Sequence, residues 1–441
     1  MSSGPRDLPG DSSPGPFQTE YAAQADRRRR RALRTAAGIL IAVGIITALE
    51  YLLLLRVLPD ELARGASAPA DAQDQAVRDA ALRAVRLIFS GFVGLGVLFV
   101  GLGLVLHRSP VIAGLTGLFL YVGSEAAVIA IAPGLLFLAW PWNLVLKFLL
   151  TAGLFRAALA AVEAEQIRRG RAEREAADAA APPGPPEEDD IPVATPVYPP
   201  GTPPVPPENP FADLPVETPP PSRPPRSSKP GEEVGKVVVL YFALLAVVLA
   251  SGWWAGASPP EDPPGVYWRD VFAGGALVLL LVGAGFLWVR RPRPLLPAAG
   301  AFRAWAEGAI LFAGMLLLNV AYTRGLRDYI DLPIPDAPLP LGWRDFFLAV
   351  LAVAVLPAVA EEFFFRYLAL GHLREVMSGH GAVWVSAVMF ATAHVHDLGG
   401  VPVFALAGVA LGYARLRSGG MLLPVLMHFG NNFTILATEG F

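Results

Sequence analysis

The sequence predicts an all-α protein: a polytopic transmembrane helical bundle of about eleven spans, in two membrane domains joined by a disordered proline-rich linker. Three observations predict it. The chain of 441 residues is 54% hydrophobic and only 17% charged, where a soluble domain carries about 25% charged residues, and its mean hydropathy is positive. Apolar runs long enough to cross the hydrocarbon, about 20 residues each, recur in both halves of the chain. Between the halves, residues 172–234 become dense in proline and acid. The net charge of −3 says little, because the charges are clustered. The lack of cysteine excludes a disulfide framework, thiolate metal ligands and a cysteine nucleophile.

Residues 1–34 read as a disordered cytosolic tail. The stretch SSGPRDLPGDSSPGP is not expected to be a cleavable secretory signal, since no apolar core follows at the right distance. Four spans, near 35–56, 87–107, 111–132 and 138–158, make an N-terminal membrane domain over residues 35–171, to which no role is assigned. The fourth is interrupted by Trp140-Pro141-Trp142 and contains Lys147. Glu50 and Glu125 fall within spans one and three with no histidine partner in any span, so a structural pairing is expected of them.

In residues 172–234 proline removes amide donors and forbids helix. This segment is expected to be a disordered, partly polyproline-II linker in the cytosol. Seven further spans, near 236–255, 270–289, 304–323, 344–365, 381–397, 400–415 and 420–438, make up residues 235–441. Orientation follows the Lys/Arg bias of the short loops. Arg27–Arg31 precede the first span and place the N-terminus in the cytosol, as a topology anchor rather than a nucleic-acid patch; no nucleic-acid partner is expected. Alternation then puts His107-Arg108, Arg168–Arg171, Arg290–Arg293 and Arg415/Arg417 on the same side. It leaves the acidic, proline-rich loops SPPEDPPG and DLPIPDAPLPLG, and the C-terminus, on the other.

The chemistry concentrates in the last four spans, which hold Glu361, Glu362, Arg366, His394, His428 and Asn432. Ionisable residues inside a span are expensive and mark functional sites. Glu362 and Arg366 are four residues apart, acid before base, and so stack on one helix face. Glu361 is turned by roughly 100° from Glu362 and has Phe365 at its own i+4 position, so it lacks a local cation and is free to handle a proton. Pro357 cannot donate to the carbonyl of Val353, which weakens the helix just before the acid pair. His394 lies in the next span one turn after Phe390. His428 and Asn432 share a face of the last. His396 and Asp397 are expected near a helix end, and His372 and His380 in a cytosolic loop without a role.

One carboxylate, two imidazoles and an amide can activate a water and stabilise an oxyanion. Alternatively, Glu361, His394 and His428 can hold a zinc ion with an open position. Each points to hydrolysis of an acyl bond, although H-E-x-x-H, G-x-S-x-G and P-loop motifs are absent from the sequence. The rival class is a proton- or ion-coupled transporter in which the same residues relay charge. A non-catalytic membrane scaffold is a third.

E-E-x-x-x-R (Glu361 to Arg366), F-x-x-x-H (Phe390 to His394) and H-x-x-x-N (His428 to Asn432), in that order on consecutive spans, resemble the signature of the CPBP family. These are the CAAX proteases and bacteriocin-processing enzymes, also called the Abi family of intramembrane proteases. The resemblance covers residues 340–441 by motif and 235–441 by span count. It implies that Glu361 and His394 activate the attacking water, that His428 and Asn432 form the oxyanion hole, and that Glu362 and Arg366 are structural or substrate-orienting. It implies as substrate a membrane-associated protein or peptide, prenylated in the eukaryotic members. The family has been read both as metal-dependent and as a metal-free glutamate protease, so the expected cofactor is either none or a divalent metal such as zinc.

Overall fold

The computed structural model describes residues 16–65, 72–131, 142–180, 230–257, 264–292, 294–295, 301–330, 343–395, 397 and 399–439. All regular structure among them is helical: α1 Pro16–Gly65, α2 Ala72–Val105, α3 Pro110–Ile131, α4 Trp142–Ala180, α5 Pro230–Ala257 and α6 Pro264–Trp288. α7 Ala301–Ile330, α8 over 343–376, α9 Gly379–Ala393, α10 Val401–Ser418 and α11 Leu422–Glu439 complete it. Six stretches among the described residues are long and apolar enough to cross a membrane: Arg29–Leu53, Leu82–Val105, Pro110–Ile129, Pro230–Ser251, Phe302–Gly325 and Phe346–Val376. A helix satisfies its own backbone donors and acceptors, the condition for crossing lipid. The protein is an integral, multi-pass helical membrane protein.

Two helices reach further than the sequence suggests. α1 begins at Pro16 and so includes half of the expected tail. α4 continues to Ala180, nine residues into the expected linker. The first extension is rich in alanine and arginine and the second in alanine and glutamate, all strong helix formers. The second stops just before Pro182, the first proline of the linker. Residues 1–15 and 181–229, and the expected start of the fourth span at 138–141, lie outside the described residues.

The chain forms two compact units: Met1–Gln166 with Pro230–Phe441, and Ile167–Lys229. Of the second, residues 167–180, the end of α4, are described. In the first, the buried core runs from Leu40, Phe99, Leu118 and Phe119 through Tyr241 to Phe364, Phe365 and Phe390. α9 is held from two sides within this core. Tyr241 on α5 hydrogen-bonds Thr392 (Oη···Oγ1 2.6 Å), and Gly123 on α3 lies so close that a Cβ there would meet the Thr392 side chain at 2.5 Å.

α8 is not a regular α-helix throughout. Val350–Val355 and Phe363–Ala369 are π-helical, with Leu356 N–H bonding the Leu351 carbonyl and Leu370 N–H the Phe365 carbonyl. The first widening lies where Pro357 supplies no N–H to the carbonyl of Val353. That carbonyl instead accepts from Asn432 Nδ2 on α11 at 3.1 Å. The second widening carries Arg366, and such widenings recur at functional sites.

Candidate active site

Glu362 and Arg366 meet as their spacing predicts, Arg366 Nε lying 3.2 Å from Glu362 Oε2, and neither is exposed. Two further contacts explain how a guanidinium is tolerated here. Arg366 Nη2 reaches the Gly408 carbonyl at 3.4 Å, and the guanidinium stands 4.4 Å above the Phe390 ring, a cation–π distance. Gly408 also lets α10 pack closely on α9, since a Cβ there would lie 2.9 Å from Cα of Ala387.

Glu362 has a second partner that its spacing did not reveal. His428 Nδ1 lies 2.9 Å from Glu362 Oε1. The carboxylate therefore bridges a cation on its own helix and an imidazole on α11. Nδ1 of His428 is the donor in this bond, and the ring turns Nε2 toward Glu361 Oε2 at 3.9 Å.

His394 corrects the expectation of a span over 381–397. α9 ends at Ala393, and His394 is its C-cap with φ −92° and ψ 44°. Its backbone N–H tightens onto the Ala391 carbonyl. The Phe390 carbonyl, which a continuing helix would have bonded to that N–H, accepts from His394 Nδ1 at 2.8 Å. A carbonyl only accepts, so Nδ1 carries a proton and the neutral ring presents a bare Nε2 to Glu361 Oε2, 3.7 Å away. The F-x-x-x-H spacing thus sets the tautomer through the Phe390 backbone. The ring packs on Phe404 of α10, centroids 4.2 Å apart and 24° from parallel. Asp397 lies in the turn that follows; His396 lies outside the described residues.

Asn432 is held at both ends. Its Nδ2 donates to Val353 and its Oδ1 accepts from Asn431 Nδ2 at 3.2 Å, leaving one N–H of the amide for another acceptor. Glu361, His394, His428, Asn431 and Asn432 line one side of a cavity of about 390 Å³. Met315, Phe404, Leu411 and Ile435 make the rest of its wall largely apolar. The structure therefore brings together all six residues singled out in the sequence, with Glu362 and Arg366 behind the cavity wall and the other four on it. Sequence reasoning missed Phe404 and Asn431. The pairing of Asn431 with Asn432 was visible as N-N, but nothing in the pattern gave it a direction.

His372 and His380 also differ from expectation. His372 is fully buried within α8, with Nε2 2.8 Å from the Arg290 carbonyl. His380 opens α9 and bonds the Tyr413 hydroxyl at 2.8 Å. Neither is a loop residue, because α8 and α9 are separated only by Met377 and Ser378, the latter capping α9.

Three donor atoms of the types zinc prefers converge here. Around a tetrahedral zinc, however, nitrogen and oxygen ligands sit about 3.4 Å apart, closer than the 3.7 and 3.9 Å found. Among the described residues no group of three His, Cys, Asp or Glu side chains is arranged to hold a metal ion. These separations are wider than the edges of an ideal tetrahedral site. The gaps suit a water, which at about 2.8–3.0 Å from each of two such atoms can bridge them off the line joining them.

A second ionisable cluster lies in the N-terminal helices. Lys147 on α4 contacts Glu125 on α3 (Nζ–Oε2 2.5 Å) and Glu50 on α1 (3.3 Å). The structural pairing expected of the two glutamates is thus made by a lysine from the interrupted span.

Residues 343–434 match the sequence model of the family described as Type II CAAX prenyl endopeptidase Rce1-like. The chain is also 29% identical over 170 residues to an uncharacterised 24.3 kDa protein of Escherichia coli, covering 36% of this chain and 76% of that protein. No solved structure matches the chain.

Proposed function

On the match of residues 343–434 to the Rce1-like CAAX endopeptidase family, we propose that this chain is an intramembrane endopeptidase that hydrolyses a peptide bond with a water activated by Glu361 and His394. The single observation that carries this reading is the meeting of Glu361 Oε2 and His394 Nε2, 3.7 Å apart, at the wall of the cavity. The water oxygen attacks the substrate carbonyl carbon while its proton passes to the Glu361 carboxylate, with His394 Nε2 accepting its second hydrogen bond. Collapse of the tetrahedral intermediate breaks the C–N bond, and the proton held on Glu361 goes to the leaving amine.

The oxyanion needs donors, and Asn432 has one N–H to spare. His428 can serve only with a proton on Nε2. Its Nδ1 already donates to Glu362, so the donating form is the imidazolium. In that form two cations, Arg366 and His428, balance two carboxylates, Glu361 and Glu362, and the buried group is neutral overall. Glu362 then holds the donor of the oxyanion hole in place, and Arg366 holds Glu362. This metal-free chemistry predicts that rigorous chelation leaves the rate unchanged within about twofold, whereas a Lewis acid worth several kcal/mol would be missed at once.

The substrate is a membrane-associated protein or peptide that enters the apolar cavity. Residues 235–441 carry the chemistry, and residues 35–171 support it through the contact of α3 with α9 at Gly123. The proline-rich segment remains a cytosolic linker in this proposal, with the N-terminus on the same side and the C-terminus opposite. The test compares protein termini in membranes of cells carrying the wild type or Glu361→Gln at equal abundance. Termini lost only in the variant support proteolysis and identify the substrate. Termini unchanged under several growth conditions favour the transporter or scaffold.

A further inference from the structure

We propose that Arg415, together with Arg374, binds a phosphate group at the end of the bundle where α8 and α10 terminate, apart from the catalytic residues. Arg415 lies in the last turn of α10. It is only 7% exposed, and its Nε and Nη1 are buried without a hydrogen-bond partner. The charged side chain acting on it is another cation, Arg374, in the last turn of α8; Tyr367 is its remaining electrostatic neighbour. Glu375 binds Arg290, and Glu307 binds Arg303 and Arg417.

A buried guanidinium with unmade hydrogen bonds is strongly disfavoured, and a like charge beside it makes matters worse. Arg366, Lys147 and Arg290 each have a carboxylate; among the described residues Arg415 has none. An arginine in the last turn of a helix can instead serve that helix's free carbonyls, yet none accepts from Arg415 among the described residues. What satisfies a buried guanidinium with a second cation acting on it is an anion with several oxygens, and phosphate matches the guanidinium fork. Phe404, which packs on His394, lies eleven residues before Arg415 on α10, about 16 Å along the helix axis at 1.5 Å per residue. The anion is therefore not the one generated in catalysis. Its two sources are the headgroup of an anionic lipid at the membrane boundary and a soluble phosphate.

The test uses the full-length protein, stripped of lipid in detergent, and reads melting temperature after adding phosphatidylglycerol, phosphatidylcholine or inorganic phosphate. Phosphatidylglycerol is expected to raise it by about 3 °C or more, and phosphatidylcholine to leave it unchanged. The rise is expected to vanish in Arg415→Gln and to shrink in Arg374→Gln. The stripped Arg415→Gln protein should melt no lower than the stripped wild type, because it has lost an unpaired buried charge. A residue serving only the fold would behave in the opposite way. If inorganic phosphate gives the same Arg415-dependent rise, the site stands and its ligand is soluble. No rise with either, or a rise undiminished in Arg415→Gln, overturns the proposal.

Discussion

Two of the groups of ionisable side chains among the described residues, one in the N-terminal and one in the C-terminal helices, differ in what remains once the charges have paired. In the N-terminal helices Lys147 takes both available carboxylates, Glu125 at 2.5 Å and Glu50 at 3.3 Å. No imidazole is present, and neither acid lines the cavity. In the C-terminal helices Arg366 and His428 converge on Glu362. Glu361, one residue away, faces the Nε2 atoms of two histidines. Charge burial alone therefore does not distinguish the proposed catalytic site from a structural cluster. The distinction lies in a carboxylate left over, with a second proton acceptor beside it and a cavity in front.

The strongest way to break this comparison is to remove the leftover carboxylate. Glu361→Gln keeps the volume and should lower the cleavage rate roughly 10³-fold, the scale of general acid–base catalysis, with melting temperature nearly unchanged. Arg366→Ala should act the other way round. It leaves Glu362 buried without its cation and should destabilise the protein by about 3–5 kcal/mol, read as a shift in thermal or denaturant unfolding. Lys147→Met should cost less, about 2 kcal/mol, because Glu50 is a third exposed and solvent screens it. Adding Glu125→Gln should restore part of that loss. The smallest effect is expected for Asn431→Ala, which leaves the Asn432 amide without one of its two anchors. A fall in kcat of about tenfold would fit an orienting role, below the 10²–10³ expected for losing an oxyanion donor itself.

Much of this site was legible because helical periodicity converts spacing into direction. The i, i+4 relation predicted the Glu362–Arg366 pair, and the 100° step from Glu362 left Glu361 free. Pairings between helices were not legible, because spacing within one helix carries no information about its neighbour. Thus His428 could be placed on a face with Asn432 but not against Glu362, and Lys147 could not be joined to Glu125. The end of α9 was misjudged for a local reason. FATAHVHD is apolar enough to continue a helix, but the His394 side chain competes for the Phe390 carbonyl and stops it. The weak point at Pro357 was visible, yet the side chain that compensates it lies 75 residues later, at Asn432. The extents of α1 and α4 were underestimated because hydropathy marks where lipid ends, not where a helix of alanine and arginine ends.

The most direct test sets one residue from each cluster against the other in a single assay. Purified wild type, Glu361→Gln and Lys147→Met would be reconstituted in liposomes at matched amounts of folded protein, and hydrolysis of one peptide substrate followed. Chemistry confined to the C-terminal cluster predicts that Glu361→Gln falls to about a thousandth of the wild-type rate, while Lys147→Met stays within about twofold, as expected of a distant, independent site. Cleavage surviving in Glu361→Gln, or lost in folded Lys147→Met, would contradict it.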